Sequence, residues 1–143
     1  MQNLIIGIHI PSFIFQFEEI ASGKYEPYTS EIVVGELYRD SEPKRSLMLE
    51  LISKYGIALL SSNEEIQRLA DIYISEGIIP IKYRDDANHI AATTVYDLDF
   101  IVSYNFQHIV KMKTITMVES VNLRERYKRI GIYSPTEVIE YVE

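Results

Sequence analysis

Three places in the chain carry oxygen-bearing side chains that their surroundings do not readily explain. Glu36 lies in a stretch from Ser30 to Asp40 that reads as a helix, with Ile32, Val33 and Leu37 among its apolar members. Residues three and four apart share a helix face, so Glu36 stands beside Ile32 and Val33. A carboxylate on an apolar face must be paired, protonated or bound to a cation. The competing explanation is a half-buried helix with Glu36 at its seam. Asp85 and Asp86 precede a helical pattern that carries Ile90 and Val95. Acids at a helix start accept hydrogen bonds from free N–H groups and favour the helix dipole, which accounts for at least one of them. Two in a row exceed what a cap needs and leave one for another task. Asn105 comes just after the apolar run Phe100-Ile-Val-Ser103, with Tyr104 between them. A polar side chain just past the carboxyl end of a strand is well placed for a site, though asparagine is also a common turn residue.

Other chemistries find little support. The three histidines, His9, His89 and His108, show no metal-ligand spacing of the HExxH kind. His89 lies between apolar helix positions and reads as a packed residue, and His108 falls close to Asn105 without a motif around it. No GxSxG elbow, P-loop or GxGxxG is present, so acyl transfer and nucleotide or dinucleotide binding have no sequence basis. The 11 tyrosines offer stacking surfaces for bases, but at helical spacing they serve equally as core or interface.

Something must bring these distant positions together. The chain has 143 residues, 47% hydrophobic and 24% charged, which suits one domain with a single core, residues 1–143. No Gly/Ser-rich or Pro-rich tract divides it and no segment repeats. With no cysteine, a disulfide framework, thiolate catalysis and sulfur-bound zinc are excluded, and a cytoplasmic location is expected. The apolar start, Met1 to Phe17, lacks a basic n-region and is followed at once by Glu18 and Glu19, so a buried first strand is expected there, with neither a signal peptide nor a membrane span. A formal net charge of −7 argues against general binding of nucleic acid through phosphate neutralisation. Any RNA contact has to come from a local basic patch or through a metal ion.

The pattern of elements is regular. Short apolar runs at Leu4–Ile10, Ile57–Leu60, Phe100–Ser103 and Ile130–Tyr133 read as strands. Between them, helices are expected over Phe13–Ala21, Ser30–Asp40 and Glu42–Lys54. A further helix starts at Ser62, with Glu65 at capping-box spacing and Ile66, Leu69, Ala70, Tyr73 and Ile74 on one face, and stops at Gly77. Another opens at Asp86 with Ala87, Ile90, Ala91, Thr94 and Val95 in register, and one more spans Thr114–Arg126. Ser134-Pro-Thr-Glu137 begins a last short helix. Alternating strands and helices predict an α/β fold, a mostly parallel sheet with helices on both faces, whose working residues gather beyond the carboxyl ends of the strands.

Taken in order, these pieces resemble a PIN domain of the VapC-like kind. The stretches that carry the resemblance are Tyr28-Thr-Ser-Glu-Ile-Val-Val-Gly-Glu36, Arg84-Asp-Asp-Ala-Asn-His-Ile-Ala-Ala-Thr93 and Asp99-Phe-Ile-Val-Ser-Tyr-Asn-Phe-Gln-His108, with Ile132-Tyr-Ser-Pro-Thr-Glu-Val-Ile139 fitting the family's closing strand and helix. The resemblance covers Phe17 to Ile139. It implies a three-layer α/β/α sandwich around a central sheet of four to five strands. It also implies a Mg²⁺- or Mn²⁺-dependent ribonuclease of a toxin–antitoxin system, with RNA as substrate, an antitoxin protein as partner and a homodimer as the assembly. On that basis Glu36, Asp86 and Asn105 are the expected catalytic metal ligands, with Asp85 beside them, and Ser103 occupies the place of a residue that orients a metal-bound water.

One position departs from the family pattern. The first strand of the family ordinarily ends in an acid followed by Thr or Ser, whereas this chain reads Ile6-Gly7-Ile8-His9 and places Gly7 at the acid's position. Two carboxylates about 4 Å apart repel by about 4 kcal/mol at an effective dielectric of about 20, and a hard cation bound between them reverses the sign. Losing one acid relieves repulsion and removes a ligand together, so weakened metal binding and low nuclease activity are expected. A scaffold that has lost catalysis and keeps protein binding or dimerisation is the alternative.

Overall fold

The computed structural model describes residues 2–6, 25–30, 42, 44–54, 56–102 and 112–133. Five short strands make up its sheet: β1 (Gln2–Ile6), β2 (Tyr25–Ser30), β3 (Ala58–Leu60), β4 (Phe100–Val102) and β5 (Gly131–Tyr133). They lie in the order β3-β2-β1-β4-β5, and every neighbouring pair is parallel. The helices are α1 (Lys44–Lys54), α2 (Glu64–Ser75), α3 (Arg84–Val95) and α4 (Met112–Arg124), with a 3₁₀ turn at Ile81–Tyr83 leading into α3. Among the described residues no helix is long and apolar enough to cross a membrane.

The strand β2 is absent from the sequence reading, which places a helix start at Ser30. Its sequence, Tyr-Glu-Pro-Tyr-Thr-Ser, contains a proline that normally excludes an interior strand. Its pairing explains the tolerance. Pro27 pairs with Leu4 of β1, but the pairing with β3 runs only from Tyr28↔Ala58 to Ser30↔Leu60. At Pro27 the strand therefore has a neighbour on one side alone, and a missing N–H is tolerable there.

The core explains why α2 was readable. Ile66, Leu69, Ala70 and Tyr73 are fully buried, the stripe that the 3.6-residue period requires. The cap lies one residue later than the sequence suggests: Asn63, not Ser62, is the N-cap, its Oδ1 accepting from Ile66 N at 2.8 Å. Ser62 Oγ instead accepts from Gln67 Nε2 at 2.9 Å. All four helices end in the same manner, with a left-handed residue and a six-to-one backbone bond. Gly56 (φ +61°) and Gly77 (φ +75°) serve α1 and α2. Asp97 (φ 60°) and Arg126 (φ 69°) serve α3 and α4 without glycine's freedom, and the bonds Leu98 N→Thr93 O and Tyr127 N→Asn122 O close them at 3.0 and 2.7 Å.

Helices α2, α3 and α4 share one face of the sheet. Their buried side chains form a single cluster with Ile101 of β4 and Ile132 of β5, against which Tyr28 of β2 and Leu60 of β3 also pack. Adjacent strand residues point the other way: Phe100 is buried outside this cluster and meets Tyr133 edge-on, ring centroids 5.8 Å apart. Helix α3 occupies the middle, and all nine residues from Asp86 to Thr94 are buried. A polar chain ties it to its neighbours. Tyr73 of α2 donates its hydroxyl to Asn122 Oδ1 of α4, Asn122 Nδ2 donates to Thr94 Oγ1 at 3.2 Å, and that hydroxyl donates to Ile90 O at 2.9 Å. Burial is the main reason the Tyr73 phenol is held well above its ordinary pKa. At the surface, α2 and the α4 end are joined by Arg68–Glu125 and by Tyr127–Glu65, both at 2.5 Å, and by the bidentate pair of Arg124 with Glu76.

Candidate functional site

The strand order determines where a site belongs. From β1 the chain proceeds outward to β2 and β3, then returns past β1 to β4 and continues to β5 on the other side. The crevice between β1 and β4 is thus the point where the winding reverses, and ligands of open parallel sheets bind outside the carboxyl ends of the strands at such a point. Ile6 and Val102, the last described residues of the two strands, are register partners.

Helix α3 delivers an acid to that end. It packs against both β1 and β4, and only residues 96–99 separate its last residue from the start of β4. Its C-terminus therefore lies at the amino end of β4, and its first turn lies at the carboxyl end. Asp85 and Asp86 occupy that first turn. Asp86 is 6% exposed and Asp85 half-buried. The helix begins at Arg84, two residues earlier than the sequence reading has it, with Tyr83 as N-cap and no side chain capping it. Arg84 is held by Asp71 of α2 at 2.8 Å. Neither aspartate is the N-cap residue, and both lie in the first turn, where a carboxylate favours the helix dipole.

Glu36, Ser103, Asn105, Gly7, His9 and His108 lie outside the described residues. His89 is buried, in keeping with a packed role. Among the described residues no three of His, Cys, Asp and Glu cluster closely enough to hold a metal ion. The donor chemistry at the crevice nevertheless suits a hard cation: Asp85 and Asp86 offer carboxylate oxygens, the ligand type Mg²⁺ and Mn²⁺ take. Asn88, two residues on, was passed over in the sequence. It is 7% exposed and its Oδ1 has no hydrogen-bond partner. The available signal was slight, an asparagine between Ala87 and Ile90 of the apolar stripe. Thr29 Oγ1, at the carboxyl end of β2, is likewise buried without a partner.

No family model matches the sequence, and no curated protein is similar enough to count as a match. Among solved structures, a chain of the crystal structure of VapBC2 from Rickettsia felis bound to a DNA fragment from their promoter is similar in fold. The likeness has a TM-score of 0.56 at 12% sequence identity, and it covers 92% of this chain and 98% of that one. Sheet order and structural likeness agree, and the chain has the PIN-like α/β fold that its resemblance to VapC-type proteins implied.

Proposed function

We propose that the chain is a single PIN-like domain, a three-layer sandwich with α1 on the face opposite α2–α4, that acts as a metal-dependent endoribonuclease of the toxin–antitoxin kind. The observation that supports this reading most is the buried carboxylate of Asp86, set at the carboxyl end of the crevice between β1 and β4. Glu36, Asp86 and Asn105 would hold Mg²⁺ or Mn²⁺, with Asp85 beside them and Ser103 orienting a water. A bound ion of this class supplies an activated water and offsets charge on the scissile phosphate. The chain's own side chains position that ion, while the apolar packing of α3 fixes the first turn from which Asp86 projects. Gly7 offers no side-chain carboxylate, so the proposed site is one acidic ligand short and its metal affinity is reduced. The function is tested by incubating purified protein with a broad RNA panel in Mn²⁺: cleavage that EDTA and Asp86→Ala both abolish supports it, and an inert wild type overturns it.

The solved structure of similar fold is a VapBC2 assembly bound to promoter DNA, which favours an antitoxin as partner for this chain, in a cytoplasmic homodimer. The same likeness, set beside Gly7, favours a second reading: a catalytically silent scaffold that keeps only the protein contacts. Growth arrest on expression that Glu36→Ala relieves would exclude it.

A further inference from the structure

The tyrosine rings of this chain are held in different ways. Tyr73 lies in the core cluster, and Tyr28, Tyr83, Tyr96 and Tyr127 pack against it. Tyr133, the last residue of β5, takes no part in that cluster and stays 36% exposed. Strand neighbours alternate faces. With Ile132 turned into the helical layer, Tyr133 lies on the other face of the sheet, beside Phe100. Its ring folds back along the strand. A β-carbon added at Gly131 would collide with Tyr133 Cε2 and Cζ, the latter at 2.9 Å, so glycine leaves the space that the ring fills. The Phe100 ring meets it edge-on, at 67° between planes. A large aromatic is thus supported from beneath and beside, with its outer side open to solvent.

Register ties this ring to the crevice. Ile6, Val102 and Tyr133 are successive partners across β1, β4 and β5. Neighbouring strands lie about 4.8 Å apart, which sets the Tyr133 backbone about 7 Å from the middle of the β1–β4 crevice. That is within reach of the nucleotide next to one bound there. Charge gives such a ring its value. At a net charge of −7, phosphate attraction contributes little to holding RNA. Stacking needs no charge, and every base has a π-face. Resting on the ribonuclease reading above, we infer that the Tyr133 ring stacks a base of single-stranded RNA beside the nucleotide at the crevice. Tyr133 binds substrate, and the chemistry stays with the crevice.

The test is fluorescence anisotropy of a labelled single-stranded oligoribonucleotide on the full chain, in EDTA so that the RNA stays intact. Tyr133→Leu should weaken binding by about tenfold or more, the scale of losing one stacked base, and Tyr133→Phe should stay close to wild type. An all-abasic ribose-phosphate oligomer of the same length should bind wild type and Tyr133→Leu alike. Circular dichroism melting shows whether Tyr133→Leu is folded; if it is not, Tyr133→Trp decides. That variant carries the sole tryptophan of the chain, and saturating RNA should quench its fluorescence while the abasic oligomer should not. RNA affinity unchanged in Tyr133→Leu, a loss as large in Tyr133→Phe, an unquenched tryptophan or no RNA bound by the wild type overturns the inference. So does a Tyr133→Leu variant that loses self-association in sedimentation and keeps its RNA affinity, which makes the ring a protein contact. The two proposals fail separately, because binding is read without metal. A wild type that cleaves RNA in Mn²⁺ but binds it without regard to Tyr133 keeps the nuclease and removes the stack. Base-dependent binding through Tyr133 in a protein that cleaves nothing does the reverse.

Discussion

Ile6 of β1 and Val102 of β4 stand opposite each other in the sheet, at the reversal of the chain's winding. The next residues in sequence are Gly7 and Ser103. The position at which this chain departs from the family pattern thus directly follows the strand end that pairs with the one preceding Ser103 and Asn105, and helix α3 brings Asp86 to the same end.

Restoring an acid at Gly7 should have opposite effects with and without metal. On the proposed site, Gly7→Asp would add a carboxylate beside other acids, where each close pair costs about 4 kcal/mol at an effective dielectric of about 20. The variant should melt below the wild type in EDTA and above it in saturating Mn²⁺. A melting temperature that ignores Mn²⁺ in both proteins would show that Gly7 is not beside a cation.

The polar link across the helical layer should be costly to cut. Asn122→Ala leaves the buried Tyr73 hydroxyl without its acceptor, a loss of about 1–3 kcal/mol. Urea titration should show a lower midpoint with an unchanged slope. A midpoint equal to wild type would mean that the chain from Tyr73 to Thr94 contributes no net stability.

Alkaline pH should weaken the fold through two tyrosines. Burial pushes the Tyr73 phenol above its ordinary value, and Tyr127 is pushed up to about 12 by burial and by its hydrogen bond to Glu65. The folded chain holds these protons more tightly than the unfolded chain. Their contribution is therefore fully present below the ordinary tyrosine pKa of 10.0 and is lost as pH rises beyond it toward the folded values. Denaturation midpoints from neutral pH to above 11 or so should fall with a break near the lower value, and Tyr73→Phe with Tyr127→Phe should flatten that break.

How much of this was legible in the sequence varies by element. Helix α2 was readable because its stripe, Ile66 to Tyr73, has one apolar face and a polar back. Strand β2 was not, since Glu26 and Pro27 disfavour a strand and only the incomplete pairing with β3 admits them. Asp85 and Asp86 stood out as a pair, one acid more than a helix start needs, but the pattern did not show that Asp86 is the buried one of the two. Asn88 did not stand out, because a polar residue on a helix looks solvated until its neighbours in space are known. The parts of the site that Glu36, Ser103 and Asn105 would supply lie outside the described residues.

A backbone strain can be relieved without touching the site. Arg126 ends α4 at φ 69° with an exposed side chain, a conformation that costs a non-glycine residue about 1–2 kcal/mol. Arg126→Gly should raise stability by about 1 kcal/mol after glycine's own entropy cost is set against that relief. Urea unfolding measures it, and a destabilised variant would mean that the arginine side chain contributes more than its strain costs.

The central claim, that Glu36, Asp86 and Asn105 converge on one ion, is tested most directly by Mn²⁺ titration of single and paired alanine variants. The account predicts that each single substitution weakens the same ion by about 10–100-fold or more and that the pairs are far from additive, because they dismantle one site. Affinity left unchanged by any of the three, or losses that multiply independently in the pairs, would contradict it.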